Sequence, residues 1–471
     1  MGAGPLKRIV AVSNRVAAPK QGKQAGGLAV GVLAALEEYG GIWFGWGGKV
    51  THNRTHGATI SQQGKITYAT IDLYRQDYER YYNGFSNNSL WPLFHYFLGF
   101  MHFSRKEYES YRRVNELFAR ELAPLLEKDD LIWVHDYHLI PLALELRRAG
   151  ISQPIGFFLH VPFPDFDVLR ALPVYKELLE AICAYNVVGL QTQRDLRSFQ
   201  ECVVQKEIGG RIVVGGKIRA RGHLLTADVF PVSIDTTGVQ QMASEAISSP
   251  AVRRMYTSLN ERDLVIGVDR LDYSKGLLER FDAFQKLLAD YPENRGKVVY
   301  MQIAPPTRSG VRTYAGIRAT LEREAGHING RFADTDWVPI RYLNKAFDRA
   351  TLAGFFRTAR VGLVTPLRDG MNLIAKEYVA SQDPLTPGAL VLSTLAGAAK
   401  ELDAAILVNP YDTEAMANAI QTALSMTLEE RRARHRTMLA VLRRNDITMW
   451  RKRFIEALDS SARIQARVQT R

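Results

Sequence analysis

The sequence predicts an α/β protein built from two successive doubly wound domains that face a central cleft. Three observations predict it. Short apolar runs alternate with stretches of helical periodicity, the pattern of parallel β-α units. The alternation restarts after a polar, proline-containing turn, "FPVSIDTTGV", near residues 230–238. Finally, 471 residues exceed what one hydrophobic core usually supports.

In the first half, "RIVAVSN", "LIWVHD", "IGFFLHV" and "NVVGLQT" read as buried strands. Helical patterns lie between them at Leu28 to Tyr39, Ser104 to Leu126 and Val168 to Tyr185. The second half repeats the scheme with "LVIGVDR", "VVYMQIAP", "VGLVTPL", "ALVLS" and "AILVNP", each followed by a helical stretch. The domains are expected at 1–235 and 236–444, with a terminal helix at 445–460 that returns to the first domain. Its Trp450, Phe454 and Leu458 recur every four residues, which makes one docking stripe. Ligands of such sheets bind beyond the C-terminal strand ends, so the chemistry is sought there.

Composition narrows the class. Apolar residues make up 46% and charged residues 23%, as in ordinary soluble proteins. No apolar run is long enough for a membrane span, and neither a secretory leader nor a myristoylation pattern is seen, so a cytoplasmic location is expected. The two cysteines, Cys183 and Cys202, cannot alone make a disulfide framework or a zinc site. A net charge of +12 admits a nucleic acid or a small anionic substrate as partner. Much of that excess lies in "ERRARHRTM" and "QARVQTR", so charge alone decides nothing.

In "VGVDRLDYSKG" a strand feeds Arg270, Lys275 and a helix start, a combination suited to a diphosphate. A loop salt bridge of Arg270 or Lys275 with Asp272 is the bland alternative. Gly26 and Gly27 open a helix and would let an anion approach the backbone. "GGRIVVGGK" has Gly216 where a P-loop needs lysine and reads as a glycine turn between strands. His135 and His138 of "WVHDYHL" lack an evident third ligand, and Asp334 and Asp336 of "FADTDW", a spacing that can hold a divalent ion between two phosphates, follow no clear strand, so no metal is expected.

His160 ends a strand in "FFLHVPFP", where a functional or a core role is open. Tyr82 and Trp91 are candidates for a sugar platform, since aromatic faces cover the apolar side of a pyranose. In "LVTPLRDGMNLIAKEY", Asp369 and Glu377 lie eight residues apart across an elbow from strand to helix. The first can accept from sugar hydroxyls and the second from a ribose diol, while the amides of Gly370, Met371 and Asn372 favour an anion. The structural alternative is a surface ion pair of Glu377 with Arg368 or Lys376.

"VSNR", "GGLAVG", "WFGW", "YYNGFSN", "LWP", "WVHDYHL", "GFFLHVPFP", "DRLDYSKG", "LVTPLRDGMNL" and "LVNPYD" occur in order over residues 7–458. With this set the chain resembles the α,α-trehalose-phosphate synthase family of GT-B glycosyltransferases, family 20. The resemblance implies two Rossmann-like domains and transfer of glucose, with retention, from UDP-glucose to glucose 6-phosphate. It implies no metal or other cofactor, no nucleic-acid or membrane partner, and it is compatible with a homo-oligomer and with a role in stress responses. It also implies site residues. Arg15, Tyr82, Asp136 and Arg308 match acceptor positions, Arg308 with a one-residue shift from the family's usual placement. Gly26, Gly27, Arg270, Lys275, Phe347, Leu373, Ile374, Ala375, Lys376 and Glu377 match donor positions. His160 and Asp369 match residues that hold the donor glucose, and with Arg270 and Lys275 form the catalytic set. Trp91 and Val161 match positions linked with α-anomer selectivity. ADP- or GDP-glucose as donor, and a catalytically silent sugar-phosphate sensor, remain the alternatives.

Overall fold

A computed structural model of the chain describes residues 7–16, 27–54, 56–307 and 312–469. The chain divides into two compact units, one of residues 1–232 with 450–471 and one of residues 233–449.

The first unit carries β1 (Ile9–Arg15), β2 (Gly41–Thr51), β3 (Thr59–Gln63), β4 (Ile66–Tyr74), β5 (Leu131–His135), β6 (Ile155–Phe158), β7 (Val187–Leu190), β8 (Arg211–Ile212), β9 (Lys217–Ala220) and β10 (His223–Val229). Their order in the sheet is β3-β4-β2-β1-β5-β6-β7-β10-β9-β8. From β4 to β10 every pairing is parallel, and antiparallel hairpins finish both edges. The central strands are apolar along their whole length because helices cover both faces: all residues of β5, β6 and β7 are buried.

The second unit carries β11 (Asp263–Val268), β12 (Val298–Ile303), β13 (Ile340–Leu343), β14 (Val361–Val364), β15 (Ala389–Ser393) and β16 (Ile406–Val408). They form a parallel sheet in the order β13-β12-β11-β14-β15-β16. Counted within the unit this is 3-2-1-4-5-6, the doubly wound nucleotide-binding order, and the first six parallel strands of the other sheet follow the same scheme. Both units are therefore Rossmann-like. In each, the winding reverses between the first strand and the fourth, β1 and β5 in one and β11 and β14 in the other.

All nine apolar runs read as strands are strands. The helix expected over Val168 to Tyr185 is not continuous. It is split into Phe166–Leu169 and Tyr175–Ile182 because Pro173 has no N–H to give and disfavours helix in the residue before it. Around Gly216 the chain does make a glycine turn, with Gly215 and Gly216 at positive φ between the antiparallel β8 and β9. The last helix runs Ile447–Gln469. Its Phe454 ring covers β6 and β7, where a Cβ on Gly156 or Gly189 would come within 2.7 Å of the ring. Trp450 sits 5.0 Å from the rings of Trp133 and Phe158.

Candidate active site

In the first unit the chemistry gathers at the C-terminal ends of β1, β2, β5 and β6. Arg15 closes β1 in register with Trp46 of β2, and its guanidinium carbon lies 5.5 Å from the Trp46 ring centre. Gly48 makes room for it: φ is +96° there, and a Cβ would meet Arg15 Nη2 at 2.9 Å. Asp136 follows β5 with φ 75° and ψ 165°, a conformation that costs a non-glycine residue strain and that functional sites often retain. Its Oδ1 accepts from the His160 backbone N–H at 3.2 Å, which ties the β5 end to the β6 end.

His135 Nδ1 lies 3.2 Å from His160 Nε2. Burial drives the His135 imidazole well below its usual range, and the neighbouring His160 adds to it. Burial also pushes His160 down, to about 3. Both rings are thus neutral near pH 7, one donating its N–H to the other. A neutral His160 can hydrogen-bond a sugar hydroxyl without adding charge.

Tyr82 is delivered by a π-helix, Tyr78–Leu90, a rare winding that is frequent at functional sites. Its ring is stacked between Tyr78, at 5.5 Å and 19°, and His138, at 5.7 Å and 15°. The neighbouring Tyr81 donates its hydroxyl to Asn14 Oδ1 at 2.7 Å, which anchors the π-helix to β1. Trp91 is only 5% exposed, its ring 4.0 Å from that of His95, so Tyr82 is the more open aromatic face. Val161 is buried as well.

The second unit builds its site at its own switch point. After β11 the loop runs through Arg270, which is exposed, to Lys275 and Gly276. Asp272 does not pair with Lys275. It accepts from the Ser274 N–H and hydroxyl and so shapes the turn. The loop after β14 docks onto this one, with the N–H groups of Leu367 and Arg368 both donating to Ser274 O. Gly276, at φ +65°, permits the approach, since a Cβ would lie 2.5 Å from Thr365 O. The outcome is an ion pair across the switch point: Lys275 Nζ to Asp369 Oδ2, 2.5 Å. Asn372 Nδ2 donates to the same Oδ2 at 3.0 Å, and the Gly370 N–H to Oδ1. Asn372 also caps the helix Leu373–Ser381 by accepting from the Ala375 N–H. By geometry the Leu373 and Ile374 amides at the start of that helix have no intrahelical acceptor.

Behind the loops, Arg280 is fully buried and pairs with Asp269 at 2.7 Å. It also donates to Thr365 Oγ1 and Lys275 O, fastening both loops from below. Burial raises the Asp269 carboxyl while Arg280 and Lys275 pull it back. Lys376 is fully buried and pairs with Glu401 at 2.6 Å, so it cannot be the surface partner of Glu377. Glu377 instead faces Arg349 at 3.4 Å, and burial raises its carboxyl against that cation. Phe347 packs on Phe355 at 5.3 Å, with the Lys345 ammonium 4.8 Å from its ring centre.

The structure therefore brings Arg15, Tyr82, Asp136 and His160 to one set of strand ends and Arg270, Lys275, Asp369 and Glu377 to the other. Gly27 begins the helix Gly27–Tyr39, while Gly26 and Arg308 lie outside the described residues. Sequence reasoning missed Trp46, His135 as partner of His160, His138 as half of the tyrosine stack, and Arg349. An aromatic at the end of β2 was a readable signal for Trp46; nothing local signals Arg349, 28 residues from Glu377. Among the described residues no group of three or more His, Cys, Asp or Glu side chains is placed to hold a metal. Asp336 pairs with Arg262 and Asp334 bridges to Trp337.

The model of glycosyltransferase family 20 matches residues 7–460. The chain belongs to glycosyltransferase family 20. Among relatives of this family, the trehalose-6-phosphate synthase of Sinorhizobium fredii is 48% identical over 97% of this chain and 99% of its own length. Family 20 structures superpose closely. An α,α-trehalose-phosphate synthase (UDP-forming) from Burkholderia vietnamiensis gives a TM-score of 0.94 at 51% identity, covering 97% of this chain and 99% of that one. The Burkholderia xenovorans enzyme in complex with glucose-6-phosphate gives 0.93 at 50%, covering 96% and 100%. An Escherichia coli structure bound with UDP-2-fluoro glucose gives 0.92 at 47%, covering 96% and 99%.

Proposed function

We propose that this chain is a retaining glucosyltransferase that moves glucose from UDP-glucose to glucose 6-phosphate, releasing trehalose 6-phosphate and UDP. The observation that carries the reading is the Lys275–Asp369 pair across the switch point of the second sheet, a cation and a carboxylate held where a nucleotide fold binds its ligand. Arg270 and Lys275 take the diphosphate, whose charge grows as the bond to the sugar C1 breaks, and the amides of Leu373 and Ile374 add their dipoles. Once Lys275 turns to phosphate, Asp369 accepts from sugar hydroxyls, and Glu377 accepts from the ribose diol. In the first unit, Arg15 and Arg308 fork onto the acceptor phosphate, Tyr82 supplies a hexose face, and Asp136 and His160 bond hydroxyls. Trp91 and Val161 shape the space that favours the α-anomer. No carboxylate acts as a covalent nucleophile, and no metal or other cofactor takes part. The enzyme works in the cytoplasm.

The test is a panel of UDP-, ADP- and GDP-glucose with glucose 6-phosphate, followed by product analysis by proton NMR. Trehalose 6-phosphate with both linkages α, formed fastest from UDP-glucose, is expected. Binding of both sugars without any turnover would make the chain a sensor, and loss of turnover with a chelator would overturn the metal-free mechanism.

A further inference from the structure

We propose that the second unit holds a separate binding site for a tetrahedral dianion, inorganic phosphate or a small phosphate monoester, at the N-terminal ends of its strands. A cavity of about 1050 Å³ opens there. Its lining includes Arg253, Tyr256, Asp263, Arg360 and Arg431. Asp263 begins β11 and Arg360 immediately precedes β14, whereas Lys275 and Asp369 follow the opposite ends of the same two strands. At about 3.3 Å per residue the two places are roughly 15–20 Å apart.

The arginines are the reason to expect a ligand. Arg360 is oriented by neutral acceptors, its Nη2 donating to Leu424 O at 2.8 Å and Met426 O at 3.0 Å. Arg431 is held in the same manner, Nη1 donating to Pro387 O. Among the described residues neither lies within ion-pair distance of a carboxylate, and Asp263 acts on both only at longer range. Burial, and then the charge of Arg360, lowers the Arg431 guanidinium from its usual range, as expected of two like charges side by side. Other arginines of the same wall are neutralised: Arg357 by Asp383 at 3.1 Å and Arg262 by Asp336 at 2.5 Å.

Two guanidinium groups fixed by carbonyls and sharing the single nearby carboxylate of Asp263, with which neither forms an ion pair, suit an oxyanion that can take forked hydrogen bonds. Arg253, exposed on the helix Pro250–Leu259, adds a third cation at the rim. Asp263 and Glu261 also line the cavity and would repel a long polyanion, which favours a ligand with two charges. Tyr256, 64% exposed, offers a ring on which the organic part of an ester can lie.

Phosphate titration calorimetry on the full chain tests this. In an Arg15→Ala, Arg308→Ala, Arg270→Ala, Lys275→Ala variant, which removes the cations of both proposed substrate grips, one class of phosphate binding is expected to persist. Adding Arg431→Gln or Arg253→Glu should weaken it at least tenfold, while either change alone leaves UDP binding to the otherwise unaltered protein within twofold. Arg253 is exposed, so its reversal decides the matter even if Arg431→Gln fails to fold. Absence of phosphate binding in the quadruple variant, or binding indifferent to Arg253→Glu, overturns the proposal. Glycerol 3-phosphate separates the two ligand sources. Tighter binding than phosphate, lost in Tyr256→Ala, identifies an ester site, and equal affinity identifies a site for free phosphate.

Discussion

At the switch point of the first sheet the side chains are rings and neutral imidazoles around an arginine; at that of the second they are ions held by other ions. The two sheets share a winding order, so topology supplies the place and not the chemistry. The Tyr78, Tyr82 and His138 stack presents a face of nearly parallel rings. The Lys275–Asp369 pair, underpinned by Arg280 and Asp269, keeps a cation and an anion ready without leaving either unpaired. A sugar needs the first kind of surface and a departing diphosphate the second.

Perturbing each side should break this contrast in a graded way. The largest effect is expected from Arg280→Met, which strands Asp269 in the core and should cost the second unit about 3–5 kcal/mol, read from the denaturant midpoint of its own unfolding transition. Lys275→Ala comes next. Turnover should fall about 100- to 1000-fold, some 3–4 kcal/mol of barrier, while the unfolding midpoint scarcely moves because Asn372 and Gly370 still bond Asp369. A midpoint lowered as far as in Arg280→Met would show that the pair is structural instead. On the other side, His138→Ala removes one face of the stack. It should raise KM for glucose 6-phosphate about tenfold, near 1.4 kcal/mol, with kcat and the KM for UDP-glucose almost unchanged.

Acidification gives the smallest effect and acts with opposite sign on buried imidazoles and buried carboxyls. His135 and His160 titrate at about 6.5 when unfolded and lower when folded, so the first unit loses stability as pH falls below about 6.5. In the second unit Asp269 and Glu377 are raised in the fold, so their contribution is lost as pH rises from about 4 through their raised values, while His435, lowered by burial, costs the same unit stability as pH falls below about 6.5. Tryptophan fluorescence should follow the first trend, because Trp43, Trp46, Trp91, Trp133 and Trp450 belong to the first unit and Trp337 to the second. A midpoint equal at pH 5 and pH 7.5 would refute the buried-imidazole account.

The parallel core was legible because strands covered on both faces are apolar throughout and stand out from amphipathic helices. β2, "GIWFGWGGKVT", and β4, "ITYATIDLY", were not read as strands, since glycines dilute one and the other departs from the continuous apolar run of a strand buried on both faces. Residues next to a strand end, such as Asp136, Lys275 and Asp369, could be nominated from position alone. Their partners could not. His135 meets His160 and Lys275 meets Asp369 only through strand order, which joins segments 25 and 94 residues apart. The ion pair guessed for Glu377 failed for the same reason: the sequence neighbour Lys376 turns inward to Glu401, and the actual partner Arg349 comes from another helix.

The π-helix that carries Tyr82 makes chain length itself a determinant of recognition. Each turn between Tyr78 and Leu90 holds more residues than an ordinary helical turn, so deleting one residue would let one of its turns relax toward the commoner form. That shift would swing every later side chain by about 100° and pull the tyrosine out from between its neighbours. A gap in this stretch should therefore be tolerated far less well than most single substitutions, and the surplus residue becomes as much a part of the binding surface as the ring it aims.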